Sequence, residues 1–200
     1  TEVDFTASKI ADSTSVLAMA SVSSARQAIG PALKTTNLLA EAIWNQNLID
    51  FGLDVDQEKQ TNYVRLKGAV KFMKDSTVLT MDPSILRLLE REWSFAPNNS
   101  VAIRGNDWRF TSFSLINSNQ SVGLEGQLSE DPSRILSLNI DKLDLSLLNV
   151  LTNKKFEGVL DATVSLSNYY RHPAVQNDID IVGLTINDFL IGDVKGKNHW

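Results

Sequence analysis

Imidazoles, thiols and clustered carboxylates carry most enzymatic and metal chemistry, and this sequence is short of them. It has no cysteine and two histidines, His172 and His199. Without cysteine there are no disulfides, no thiolate nucleophile and no Cys-ligated zinc. His172 precedes Pro173 in a connection and His199 lies beside the last residue. Neither has a partner at metal-ligand spacing, so both read as solvated side chains. No G-x-S-x-G elbow seats a serine nucleophile. Thr1 has the type of an N-terminal nucleophile, a reading given no weight because any excised segment begins at some residue. Asp54, Asp56 and Glu58 have the spacing of an acidic cation loop. The EF-hand frame, however, requires Gly and Glu where this chain has Lys59 and Arg65, so the plain reading is the wet face of a strand running into its turn. Gly123 and Gly126 lack the strand-to-helix setting of a phosphate loop. Asn98 to Ser100 and Asn119 to Ser121 match the glycosylation pattern, which is too short to carry weight alone. No catalytic residue, cofactor or metal is expected.

What remains is the scaffold. The chain has 200 residues, 42% hydrophobic and 22% charged, with a net charge of -5. That composition suits one globular body or two small ones with a core. Its 19 basic residues are scattered, which argues against a nucleic-acid surface. No apolar run reaches the roughly 18 to 20 residues of a spanning helix, so the chain as given reads as soluble.

Apolar residues recur at every second position, the period of a strand. Ile49, Phe51, Leu53 and Val55 alternate with Asp50, Gly52, Asp54 and Asp56. Val64, Leu66, Gly68, Val70 and Phe72 alternate with Arg65, Lys67 and Lys71. The same holds for Val3, Phe5 and Ala7, for Leu136, Leu138 and Ile140, and for Phe156 through Leu166. Turn-forming clusters separate these runs: Asn45 to Asn47, Asp56 to Asn62, Lys74 to Ser76, Asn98–Asn99, Gly105 to Asp107, Asn117 to Gln120 and Asp131 to Ser133. Their spacing suits consecutive antiparallel hairpins and leaves no room for strand–helix–strand units. Three stretches depart from the pattern. Ala25 to Trp44 could hold a helical turn, although Gly30–Pro31 interrupts it and Thr35 to Asn37 read as a strand entry. Ser84 to Glu92 reads as a short helix, capped by Asp82–Pro83–Ser84 with Ile85, Leu88 and Leu89 on one face. Asp144 to Leu151 is a third candidate, with Leu145, Leu148 and Leu151 at helical spacing. The expected fold is therefore mainly β: an elongated, curled antiparallel sheet, β-taco or open sandwich-like, with at most a few short helical turns.

Two fates are open to the apolar stripes. If the faces close on one another they form a sandwich core. If the sheet curls without closing, they line a trough suited to acyl chains, since each buried methylene gains about 0.8 kcal/mol without needing a specific polar contact. The candidate lining, chosen by alternation, is Ile49, Phe51, Leu53, Val55, Val64, Leu66, Val70, Phe72, Leu138, Ile140, Leu160, Val164 and Leu166. A shift of one residue in any strand would turn its whole set outward. Gly158, Gly192 and Asp193 read as structural.

From about Asn37 to Trp200 an ordered set of features resembles the TamB family of AsmA-like envelope proteins, in its Bacteroidota form. These are Trp93 with Pro97 and Asn98; Phe113, Leu115, Asn117, then Asn119, Gln120 and Ser121 leading to Gly126; and Asp131, Pro132, Ser133 before Leu136 to Ile140. Further on come Asp144, Leu145, Leu147, Leu148, Asn149; Gly158; Pro173; and Ile191, Gly192, Asp193 before Trp200. The resemblance implies a periplasm-spanning protein of a Gram-negative envelope, anchored in the inner membrane by a helix and built from stacked β segments around an apolar groove. It implies phospholipid transport toward the outer membrane and outer-membrane assembly with a BamA-like partner contacted by other parts of the parent chain. Neither the anchoring helix nor the family's C-terminal region is recognisable, so residues 1–200 would be an internal segment, with a possible subdivision into 1–36 and 37–200. It would be non-enzymatic, its ligands phospholipid acyl chains, and its open sheet edges would allow self-association. The alternatives are a chaperone-like module that templates client strands on those edges, or a surface-binding sandwich using Trp44, Trp93, Trp108 or Trp200.

Overall fold

The computed structural model describes residues 2–9, 16–29, 33–58, 61–150, 152 and 154–199. Expectations attached to Thr1, Gly30, Pro31, Lys59, Leu151 and Trp200 lie outside these residues. The fold is mainly β and antiparallel, with 75% of the described residues in strands. The chain divides into two compact units, Thr1–Ser94 and Phe95–Trp200.

In the first unit β1 (Glu2–Lys9), β2 (Val16–Ile29), β3 (Leu33–Asn45), β4 (Leu48–Gln57) and β5 (Tyr63–Phe72) pair in sequence order, each antiparallel to the last. β6 (Thr77–Met81) and β7 (Ile85–Leu88) share the far edge of β5, one on each half, and β8 (Arg91–Phe95) pairs with β7. In the second unit β9 (Ser100–Arg104), β10 (Asp107–Asn117), β11 (Gln120–Leu128), β12 (Ile135–Asp144), β13 (Phe156–Ser167), β14 (Ala174–Ile186) and β15 (Phe189–His199) form a second run of neighbours. A 3₁₀ turn at Leu145–Val150, inside the Asp144 to Leu151 candidate, is the one helical element among the described residues.

The sequence's turn clusters fall between strands. Gln46–Asn47, Gly105–Asn106, Ser118–Asn119 and Asn187–Asp188 are two-residue hairpin loops, and each contains a residue of positive φ, as right-twisted hairpins require. The other two helical expectations are corrected. Ala25 to Trp44 belongs to β2 and β3 wherever it is described. Ser84 to Glu92 is the β7–β8 hairpin. Ser84 looks like a helix cap but is spent elsewhere. Only 2% exposed, its hydroxyl accepts from the Lys67 N–H at 2.9 Å and lies 3.1 Å from the Lys67 carbonyl and 2.8 Å from that of Asp82. It thus satisfies the β5 peptide in the gap between β6 and β7.

Bulges bend the sheet, and carboxylates hold them. In β10 the register shifts between Phe110 and Phe113, in β12 between Ile140 and Leu143, and in β14 between Ile181 and Leu184. Ser112, Lys142 and Gly183 take up the extra residue with φ of 47°, 49° and 65°. Each donates its backbone N–H to an acid on the next strand: Ser112 to Glu125 at 2.8 Å, Lys142 to Asp161 at 3.0 Å and Gly183 to Asp193 at 2.8 Å. An extra residue leaves its peptide unpaired by the ladder, and a carboxylate supplies the missing acceptor while tolerating the left-handed backbone. Asp161→Ala should therefore lower stability by about 1–2 kcal/mol. Asp161→Asn, which keeps an acceptor, should lose less than half of that. Urea unfolding of both variants gives the comparison, and equal losses would rule out the clamp.

Candidate functional site

Directly opposed residues of an antiparallel pair share a face, so the registers show which side chains lie together. In the first unit Ile49 is opposite Val70, Phe51 opposite Gly68, Leu53 opposite Leu66 and Val55 opposite Val64. The candidates of β4 and β5 therefore occupy one face. β3 extends it, placing Trp44, Ala42 and Ala40 beside Ile49, Phe51 and Leu53. β2 adds Ala18, Ala20 and Val22, and β1 adds Phe5 opposite Ala20. On the other side of β5, Leu79 lies against Val70, Leu86 against Val64 and Trp93 against Leu86. Phe72, opposite Thr77, marks the limit of the face at 40% exposure. One apolar row, Phe5–Ala20–Ala42–Phe51–Gly68–Met81, runs across six strands.

The second unit repeats the arrangement. Leu138 pairs with Val164, Ile140 with Ala162 and Leu136 with Leu166, while Leu160 lies opposite Leu143 and Ile181. The face continues through Val122 and Leu124 of β11 to Leu115 and Phe113 of β10. Phe113 packs against Phe95 and Phe110 at centroid distances of 5.4 and 6.2 Å. All thirteen sequence candidates thus fall into two same-face sets, eight on β4 and β5 and five on β12 and β13, and the structure extends each set onto the flanking strands. The alternation rule missed β2 and β3 because alanine and serine make up half of β2, while in β3 Leu38–Leu39 and Ile43–Trp44 put apolar residues on both faces, and each blurs the contrast between faces.

The polar face is equally consistent. Arg65 on β5 lies opposite Asp54 and pairs with Asp56. Two of the three acids that resemble a cation loop, Asp54 and Asp56, are therefore paired with the residue standing where that loop needs its last ligand. Asp178 and Asp180 of β14 pair with Lys197 and Lys195 of β15, both at 2.7 Å. A depression of about 410 Å³ lies among these groups. Among the described residues no cluster of three or more acids or imidazoles is arranged to hold a metal. His172 and His199 are exposed. Gly158, with φ of 129°, faces the β14 bulge, where a side chain would meet the Val182 and Gly183 carbonyls.

No family model, curated protein or solved structure matches this chain. The site must be read from its own geometry.

Burial distinguishes a sealed core from an open face. Of the large apolar side chains described, only Trp93, Val101, Leu145 and Leu147 are buried. Twelve of the thirteen candidates are half-buried and Phe72 is exposed. In β13 the alternation is clear: Leu160, Ala162 and Val164 are shielded while Asp161 and Thr163 are exposed. The apolar face of β13 is therefore the more shielded of its two faces. The accessible surface is 12713 Å², whereas even two separate compact bodies of this chain's mass would expose only about 11,000 Å² between them. Among the described residues no helix is long and apolar enough to cross a membrane.

The Asp56 carboxyl is held below its ordinary value of 3.8, first by the hydrogen bond from Arg65 and then by that from Asn37. A depressed carboxyl pKa adds stability above the unfolded value and loses it as pH falls through the folded one. The chain should accordingly lose stability below about pH 4. Asp56→Asn should flatten that part of the pH profile, measured by urea unfolding between neutral and acid pH.

Proposed function

We propose that this chain is a non-enzymatic lipid-handling segment whose half-buried apolar face accommodates phospholipid acyl chains while head groups stay in water. In this reading it belongs to a TamB-like, inner-membrane-anchored protein of the Gram-negative periplasm that carries lipid toward the outer membrane. A BamA-like partner would be engaged by other parts of the parent chain. The observation that supports it is the incomplete burial, in each unit, of an apolar face that continues from strand to strand. A sandwich core would bury Phe51, Leu53, Leu138 and Leu160 almost fully, and here they keep accessible surface. An acyl chain gains about 0.8 kcal/mol per methylene on such a surface and can slide, because no polar contact fixes its register. The clamped bulges maintain the curl that gathers the face.

Native mass spectrometry of the chain purified from bacterial cells is the test. Bound phospholipid is expected with the unaltered chain. Phe51→Asp and Leu160→Asp, each with strand content retained by circular dichroism, should lose it by on the order of a hundredfold or more, because a carboxylate would have to be desolvated beneath the acyl chain. Phe51→Leu should keep it. A folded chain that carries no phospholipid, or that carries it equally in the aspartate variants, overturns the reading.

A further inference from the structure

We propose that the β13–β14 connection and the polar depression beside it, both within the second unit, form a binding site for a neutral oligosaccharide. The connection, residues 168–173, carries Tyr169 and Tyr170. Their rings meet edge to face at a centroid distance of 5.0 Å and stay 47% and 40% exposed. Single exposed apolar side chains are ordinary, but two rings side by side on one short connection make a platform. The platform is fixed in place. The Arg171 and His172 backbone N–H groups both donate to the Asn168 carbonyl, at 3.3 and 3.2 Å. The Tyr170 hydroxyl donates at 2.7 Å to the Asn106 carbonyl in the β9–β10 hairpin, and the Asn106 amide donates at 2.7 Å to Glu130 between β11 and β12. Three connections at this end are thereby joined. Rings held in this way offer contact area with little rotamer freedom left to lose on binding.

The depression, of about 530 Å³, has the size of a small-molecule site. Arg109, Gln127, Ser133, Arg134 and Ile135 line it. Ile135 stands directly opposite Ser167, two residues before Tyr169. Tyr170, by reaching Asn106, carries the connection from β13 toward β10, along the strand ends that border the depression. Arg109 and Gln127 are directly opposed on the face away from Phe110 and Gly126, so the site is separate from the acyl-chain surface and does not rest on that reading.

The class of ligand follows from the mixture of groups. A sugar ring presents C–H faces that pack on aromatic rings, and hydroxyls that both donate and accept. The Arg109 guanidinium has no partner among the described residues and supplies donors. Gln127 supplies both a donor and an acceptor. Glu125 also lines the depression; one of its oxygens holds the β10 bulge through Ser112, and the other is an acceptor. That carboxylate, with Asp131 only 3.4 Å from Arg134, balances the two arginines. Such a site suits an uncharged, hydroxyl-rich ligand better than a phosphate or an anionic membrane surface.

Isothermal titration calorimetry of the whole chain with maltotetraose, cellotetraose and N-acetylchitotetraose tests this, since these uncharged probes differ in linkage and substituent. Binding of at least one is expected, with Kd on the order of 0.1–1 mM for a shallow site. Tyr169→Ala and Arg109→Ala should each weaken it roughly tenfold, whereas Tyr169→Phe, which keeps the ring, should stay within about twofold. Both side chains are exposed, so circular dichroism and melting should be little changed. Phe51→Asp should bind the sugar as the unaltered chain does, which separates failure here from failure of the lipid reading. A chain that binds none of the three probes overturns the proposal. So does binding that Tyr169→Ala and Arg109→Ala both leave unchanged. Binding to phosphatidylglycerol vesicles that Tyr169→Ala abolishes, with no binding to the sugars, overturns it too and would make the ring pair a membrane anchor.

Discussion

Trp93→Ala is expected to lower the stability of this chain by about 3–5 kcal/mol. Trp93 is 4% exposed, and among the described residues it is the one large apolar side chain of the first unit that is fully buried. It ends the cross-strand row Val55–Val64–Leu86–Trp93. Most of the unit's apolar side chains are half-exposed and contribute correspondingly less, so the energy of shielding is concentrated at this residue. Each kcal/mol moves the midpoint of a domain this size by roughly 4–8 °C, so a drop of about 12 °C or more should be visible by thermal melting. The indole N–H has no hydrogen-bond partner, and an unpaired buried donor is itself unfavourable. Trp93→Phe deletes that donor along with some volume and should lose less than half as much as the alanine variant. If Trp93→Ala melted within a few degrees of the unaltered chain, the β7–β8 hairpin would not be what seals this end of the apolar face.

The strands and most turns are legible in the sequence because period-two alternation and Asn/Asp/Gly clusters act locally. At Ile49 to Val55 and Val64 to Phe72 the alternation also determines register, since any slip would put Asp50 or Lys67 on the apolar side. Ser84 to Glu92 shows where this fails. Four residues of β7 cannot distinguish a period of two from one of 3.6, because Ile85, Leu86 and Leu88 fit either. The turn that follows places Leu89 and Glu90 at φ of 50° and 63°, positions that Asn-Gly would ordinarily announce. Their cause is distant in sequence: the Leu89 N–H donates to Oδ1 of buried Asn62 at 2.7 Å, while the Asn62 amide donates to the Gln57 side chain at 2.6 Å. The bulges are hidden for the same reason. Nothing local marks Ser112 or Lys142 as left-handed, and their acceptors Glu125 and Asp161 lie on the next strand. Half of the candidate site could be read from β4, β5, β12 and β13. Its sideways continuation through β2 and β3, where small or doubly apolar stretches blur the alternation, required the pairing itself.

Gly126→Ala should destabilise the chain by about 3–5 kcal/mol, out of proportion to one methyl group. Gly126 has φ of 103°, where L side chains are strained, and an added Cβ would come within 2.2 Å of the Ile135 carbonyl oxygen on β12. That neighbour is backbone and cannot rotate aside, so β11 and β12 would have to part. The position matters to the curl. Gly126 lies opposite Phe110 on one side and Leu136 on the other, next to Glu125, which holds the β10 bulge through Ser112. A glycine beside a bulge is how a sheet bends sharply without a side chain obstructing the inside of the bend. Gly105→Ala is the control. Its φ is 55°, but nothing lies within 4 Å of the added Cβ, and only the left-handed penalty of about 1–2 kcal/mol should appear. Urea midpoints supply the two values, and hydrogen exchange should show faster exchange along β12 in Gly126→Ala alone. Equal effects at the two glycines would mean that backbone strain, not close approach, fixes Gly126, and the bend at β11 would need another cause. A large effect at Gly126 alone would tie stability to the curvature that gathers Phe110, Leu136 and Leu166 on one face, the property on which the proposed acyl-chain surface rests.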